Sequence, residues 1–204
     1  MSSPLKAIIG LGNPGNDYVR TRHNAGFWMV ERLAERYRGS FRVENKFHGE
    51  LTRVQIAGQD LLLLKPSTFM NRSGLAAQAL AQFYKLQPTD LLIAHDELDL
   101  PAGTARLKAG GGHGGHNGLR DLHRVFGDGY LRLRIGIGHP GDKSLVLNYV
   151  LGRPSKGDED LIVKSIDDAT DAVETWCGRG WERALNQLHS IPTPGKPGAG
   201  PQTS

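Results

Sequence analysis

Leu91-Leu92-Ile93-Ala94-His95-Asp96-Glu97-Leu98-Asp99 decides the fold. Four consecutive apolar residues form a strand without a polar face, and carboxylates follow directly at its end. Such a strand needs cover on both sides, and the ends of such strands are where open α/β sheets carry their sites. Upstream, Leu75, Ala76, Ala79, Leu80 and Phe83 recur at helical spacing behind Ser73, which reads as an N-cap. Before them, residues 51–56 and 60–64 are strand-like and flank Ala57-Gly58-Gln59, a hairpin. Residues 5–9 form another buried strand, running into Gly10-Leu11-Gly12-Asn13-Pro14-Gly15. From Asn24 onward Phe27, Val30, Ala34 and Tyr37 mark an amphipathic helix with His23 at its start.

Downstream, residues 104–108 alternate Ala105 and Leu107 against Arg106 and Lys108, and residues 131–137 alternate four aliphatics against Arg132 and Arg134. Both read as half-buried strands with basic outer faces. Between them Gly110-Gly111-Gly112-His113-Gly114-Gly115-His116-Asn117-Gly118 opens a helix marked by Leu119, Leu122 and Phe126. Asn117 is the expected N-cap, and the loop places free amides and the positive end of a helix where a phosphate can dock. Residues 146–150 fit helix or strand. A long helix follows from Ser155 through Ile162, Ile166, Ala169, Val173 and Trp176, with Gly178 as its expected stop, and Trp181, Ala184, Leu185 and Leu188 make a last helix.

Strands alternating with helices give the α/β class: one domain over residues 1–191, with a central sheet covered by helices on both faces. The hairpin makes that sheet mixed rather than wholly parallel. Residues 192–204 are rich in Pro and Gly and are expected to be a disordered tail. Among 204 residues no apolar run approaches the ~20 that a membrane-spanning helix needs, so the reading is a cytoplasmic protein. A single cysteine, Cys177, excludes an internal disulfide and falls on an apolar helical stripe as a buried thiol. The net charge of +4 suits a polyanionic partner.

The residues able to do chemistry sit in loops after strands: Asn13, His23, Asn71, Asp96 and Asn117. A neutral imidazole takes a proton from water near neutral pH, and a carboxylate on its other nitrogen fixes the tautomer and stabilises the imidazolium. Side-chain amides hold a water or donate to an oxygen that gains negative charge. Together these are the parts for hydrolysing an ester without a protein nucleophile. Each residue also has a plain reading: Asn13 as a turn residue, His23 at a helix start, Asn71 and Asn117 as caps, Asp96 in a solvated acidic turn. His113 and His116 lack a companion ligand cluster at metal spacing, so neither a metal nor another cofactor is expected. Gly10-x-Gly12-x-x-Gly15 follows a strand as a dinucleotide fingerprint does, but the polar stretch up to His23 delays the helix that should open within it.

Five stretches together resemble the bacterial-type peptidyl-tRNA hydrolases. They are Gly10 to Gly15 with Thr21-Arg22-His23-Asn24-Ala25-Gly26; Thr68-Phe69-Met70-Asn71-Arg72-Ser73-Gly74; His95-Asp96-Glu97-Leu98-Asp99-Leu100-Pro101; the glycine loop; and Arg132-Leu133-Arg134-Ile135-Gly136-Ile137-Gly138-His139-Pro140. The resemblance implies a monomeric α/β domain with a mixed, twisted sheet that cleaves the ester between a peptide and the 3′ end of tRNA. It implies His23 as the base, Asp96 as its orienting carboxylate, and Asn13, Asn71 and Asn117 as amides that bind the substrate end or order the attacking water. Tyr18, Phe69 and Met70 match positions that line the cleft, with His116 beside it. Lys108 and Arg134 match positions that clamp the tRNA 5′ phosphate, so the partner implied is peptidyl-tRNA, held at its acceptor stem, 3′ end and 5′ phosphate. Arg72 stands where the family often has an apolar residue. Two other readings compete: a non-catalytic RNA-binding domain, and a nucleotide-dependent oxidoreductase that uses the first glycine motif.

Overall fold

A computed structural model describes residues 4–194. Seven strands form one sheet: β1 (Ala7–Gly10), β2 (Arg42–Glu44), β3 (Gly49–Ile56), β4 (Gln59–Pro66), β5 (Leu91–Glu97), β6 (Ala105–Ala109) and β7 (Leu131–Gly136). Their spatial order is β2-β3-β4-β1-β5-β7-β6. The four central strands run parallel, and the two edges are antiparallel. The expected hairpin is β3–β4, closed by Ala57 and Gly58 at positive φ, 50° and 77°, as a two-residue turn that follows strand twist requires. Gln59, read with the turn, already pairs with Ile56. The short edge strand β2 has no apolar alternation of its own, and its existence depends on pairing with β3.

Helices α1 (Ala25–Arg36), α5 (Lys156–Arg179) and α6 (Trp181–His189) cover one face, where Met29, Val30, Leu33, Ile162, Ile166 and Leu188 pack on Ile8, Leu63 and Leu133. Helices α2 (Ser73–Tyr84) and α3 (Asn117–Phe126) cover the other, with Leu80, Leu119 and Leu122 on Ile9, Leu64 and Ile93. Successive residues of β1 therefore feed opposite cores, as a strand apolar on both faces must. Residues 146–150, open between helix and strand, form the short helix α4 (Val146–Val150).

Three local expectations are corrected. Ser73 is the first residue of α2 rather than its cap, and its hydroxyl donates to the carbonyl of Met70 at 2.7 Å. Gly178 lies inside α5, which runs on to Arg179 and is capped by Gly180, where φ is 93°. Cys177 is half-buried, with burial pushing its thiol up to about 11. The reading of a disordered tail from residue 192 falls, beyond residue 194, outside the described residues.

The feature of the fold that builds the site is the approach of α1 to the sheet. A side chain at Gly26 would run into the carbonyl oxygen of Ala94, and one at Gly10 into the backbone of Gly26. Glycines at both positions let the start of α1 sit directly on the ends of β1 and β5. His23, in the single turn Arg22–Asn24 ahead of α1, is thereby brought to the end of β5.

Candidate active site

Asp96 is the centre. It is 3 % exposed, and both carboxylate oxygens are occupied: Oδ2 lies 2.9 Å from His23 Nδ1 and Oδ1 2.8 Å from His116 Nε2. The backbone fixes the tautomer of His116. Its Nδ1 accepts from the amides of Gly118 at 3.1 Å and Leu119 at 3.3 Å, so the ring proton sits on Nε2 and is donated to Asp96. His116, rather than the expected Asn117, is thus the N-cap of α3. The glycine-rich approach matters here because it lets an imidazole reach back over the first turn and forward to the carboxylate.

His23 uses Nδ1 on Asp96, and its Nε2 has no hydrogen-bond partner among the described residues; the residue is 9 % exposed. Burial lowers the basicity of this ring, but the charge and hydrogen bond of Asp96 outweigh it, and the net shift is upward from 6.5. Burial likewise opposes the charge on Asp96, yet its two histidine partners hold the carboxyl well below the usual range. The pair is therefore set as carboxylate and base, with one free basic nitrogen. The facing atoms of His23, Asp96 and His116 all lie within 4.8 Å of one another, close enough to surround a cation. His116, however, presents a proton there and not a lone pair, because its other nitrogen is committed to the backbone. This donor set suits a hydrogen-bonded relay.

Asn13 is 6 % exposed, and its Oδ1 accepts from the amide of Met70 at 2.7 Å. That contact fixes the side-chain amide with its NH₂ as the group left to face solvent, so Asn13 serves as a donor. Its main chain is clamped by Asn24, which accepts from Asn13 N at 2.8 Å and donates to Asn13 O at 2.9 Å. Sequence reasoning placed Asn24 only at a helix start; the one signal was its place beside His23. A groove of about 170 Å³ runs from Asn13 and Asn24 past Phe27 and Trp28 to Lys65 and Ser67.

Asn71 and Asn117 are exposed at the starts of α2 and α3, elements packed against each other. The Oδ1 of Asn117 accepts from Arg120 at 3.2 Å, which turns its NH₂ outward. Tyr18 and the exposed Phe69 meet edge to face, centroids 6.2 Å apart. Met70 is buried at 4 %, under the site rather than on its surface. Lys108 is exposed on β6, and Arg134 on β7 donates to Glu97 at 2.8 Å. Arg132 corrects the basic outer face: it is 3 % exposed and turned into the glycine loop. The sequence also concealed the surroundings of His95, which is buried next to Asp96, with Nδ1 on the carbonyl of Asp96 at 2.8 Å and Nε2 without a partner among the described residues. Burial pulls His95 down to about 3, so it is neutral.

Residues 7–196 match the family model described as peptidyl-tRNA hydrolase. The chain is 54% identical to a peptidyl-tRNA hydrolase of Haemophilus influenzae over 93% of this chain and 98% of the relative. It is 53% identical to one from Pectobacterium atrosepticum over the same shares. Among solved structures it is similar to a peptidyl-tRNA hydrolase from Acinetobacter baumannii, with a TM-score of 0.90, 47% identity, and coverage of 94% of this chain and 97% of that one.

Proposed function

From the premise that the chain belongs to the peptidyl-tRNA hydrolase family and hydrolyses peptidyl-tRNA, we propose that His23 is the general base of that reaction and Asp96 its orienting carboxylate. The observation that carries this is the sharing of Asp96 between His23 and His116, which leaves His23 Nε2 as the free base. A water on Nε2 loses its proton as its oxygen bonds to the ester carbonyl carbon. The carboxylate balances the imidazolium, which returns the proton to the departing 3′ oxygen of the ribose, and the products are free tRNA and a peptide carboxylic acid, which releases its proton to solvent. The Asn13 NH₂ is the donor for the water or for the carbonyl oxygen as it gains charge.

In this reading Asn71 and Asn117 bind the peptide and the terminal adenosine, and Tyr18 and Phe69 wall the cleft, with Met70 buried beneath it. Lys108 and Arg134 take the 5′ phosphate at the acceptor stem. Lys108 stands opposite Arg132 in the β6–β7 register and diagonal to Arg134, so the two side chains share one face of the sheet. The protein acts as a monomer in the cytoplasm, and among the described residues no helix is long and apolar enough to cross a membrane.

The test is hydrolysis of an N-blocked aminoacyl-tRNA by wild type and His23→Ala, with tRNA binding measured beside it. Turnover is expected to fall by about 10² to 10⁴, the worth of a general base, while binding holds. Unchanged turnover in the variant refutes the assignment.

A further inference from the structure

Three consecutive carbonyls of the glycine loop are each held from behind. Arg132 donates from Nε to Gly110 at 3.2 Å and from Nη1 to Gly112 at 2.7 Å, and its Nη2 adds a second bond to Gly110. Between them the carbonyl of Gly111 accepts from His123 Nε2, on α3, at 2.9 Å. The remaining nitrogen of His123, Nδ1, lies 2.7 Å from the hydroxyl of Tyr130, whose ring is fully buried. A carbonyl only accepts, so the His123 proton is on Nε2, and the Tyr130 hydroxyl must donate to Nδ1. The hydroxyl thereby selects the tautomer that holds the loop.

Gly111 has φ 111°, and a side chain there would run into Arg132 Nη2 and the end of Lys108. The end of Lys108 on β6 lies beside Gly111, and the main chain is held by four N–H donors from two side chains. Five residues past Gly111 it delivers His116 to Asp96, and the next residue is Asn117.

We infer that Tyr130, His123 and Arg132 are positioning residues: they hold the carbonyl side of residues 110–112 and so set where His116 meets Asp96. They touch no reacting atom and act through His116. The inference rests on the reading of Asp96 as the orienting carboxylate given above.

The experiment measures kcat and KM on an N-blocked aminoacyl-tRNA for His123→Leu and His123→Gln, alone and in a His116→Ala background, with thermal melts to confirm folding. His123→Leu is expected to lower kcat/KM about three- to tenfold, the worth of one hydrogen bond. His123→Gln can donate to Gly111 and accept from Tyr130, so it should recover most of that loss. In the His116→Ala background His123→Leu should cost nothing more, because the residue through which it acts is already gone. Wild-type kinetics in His123→Leu, or a loss that adds in full to that of His116→Ala, overturns the inference. If His123→Leu does not fold, Tyr130→Phe keeps the buried ring and removes only the donor, and wild-type kinetics there overturns it equally. A wild-type rate in His116→Ala itself instead removes the underlying reading of the Asp96 site.

Discussion

At Asp96 a single carboxylate settles the protonation of two imidazoles, one of which is pinned by backbone amides. Asp96→Asn tests this. The asparagine can offer an oxygen to His23, but its NH₂ then faces the proton of His116, and the charge that raises His23 is gone. Burial, which lowers the ring, remains. The acid limb of kcat/KM should therefore move to lower pH while kcat falls by about 10² or more, and a pH–rate profile with an unmoved acid limb contradicts the assignment. His23, Asp96 and Asn13 were legible in the sequence because each closes or follows a buried strand, where sheets of this class carry polar groups. Asn24 and His95 were not, because side-chain direction decides their partners and one-dimensional spacing does not report it. Nor was the choice of which end of the Asn13 amide faces outward, which depends on the amide of Met70, 57 residues away.

Among the elements, α1 and α3 carry the site, and each is seated by a residue whose role is steric or local. Gly26 lets α1 touch the end of β5, so Gly26→Ala should overpack that contact. The expected cost is about 1–3 kcal/mol in thermal or urea melts, with a loss of turnover because His23 moves with the helix. A variant as stable and active as wild type shows that the helix does not need this approach. For α3 the cap discriminates between neighbours. His116→Ala should cost about 1 kcal/mol of stability and Asn117→Ala little, since it is the His116 side chain and not that of Asn117 that bonds the first-turn amides. Equal losses in melts of the two variants undo that distinction. Sequence preference pointed to Asn117, a better cap by type. The imidazole wins because the glycines before it admit a main-chain path that brings a longer side chain over the helix end. Ser73 and Gly178 went astray for a related reason: cap preferences are local, and packing between helices shifts their ends by a residue or two. The mixed sheet and its two helical layers were readable because apolar period and turn chemistry agreed along the whole chain.

Over the whole molecule, the way charge is distributed sets both its hold on tRNA and its response to acid. Lys108 is exposed and among the described residues makes no ion pair with a carboxylate, whereas Arg134 shares its guanidinium with Glu97. Lys108→Ala should therefore weaken tRNA binding and flatten the plot of log affinity against log salt by about one, the contribution of one phosphate contact. An unchanged slope removes Lys108 from the interface. Acid stability follows from the buried histidines, with signs that differ. His23 is raised, so what it contributes is whole below 6.5 and is lost only as pH climbs through its higher folded value. Asp96 is depressed, so its contribution is whole above 3.8 and declines only below that. His95 is the group that acts between. Buried and neutral, it resists the proton down to about 3, while in the unfolded chain the same ring takes it up near 6.5. As pH falls from 6.5 toward 3 the unfolded state binds the extra proton, and stability drops, at most by about 1.4 kcal/mol per pH unit. His95→Gln keeps a donor for the carbonyl of Asp96 and removes the titrating group. Urea melts at pH 7, 5.5 and 4.5 should show a shallower loss for this variant than for wild type, whatever their difference at pH 7. Parallel losses across that range assign the acid sensitivity to other groups and free His95 from any part in it.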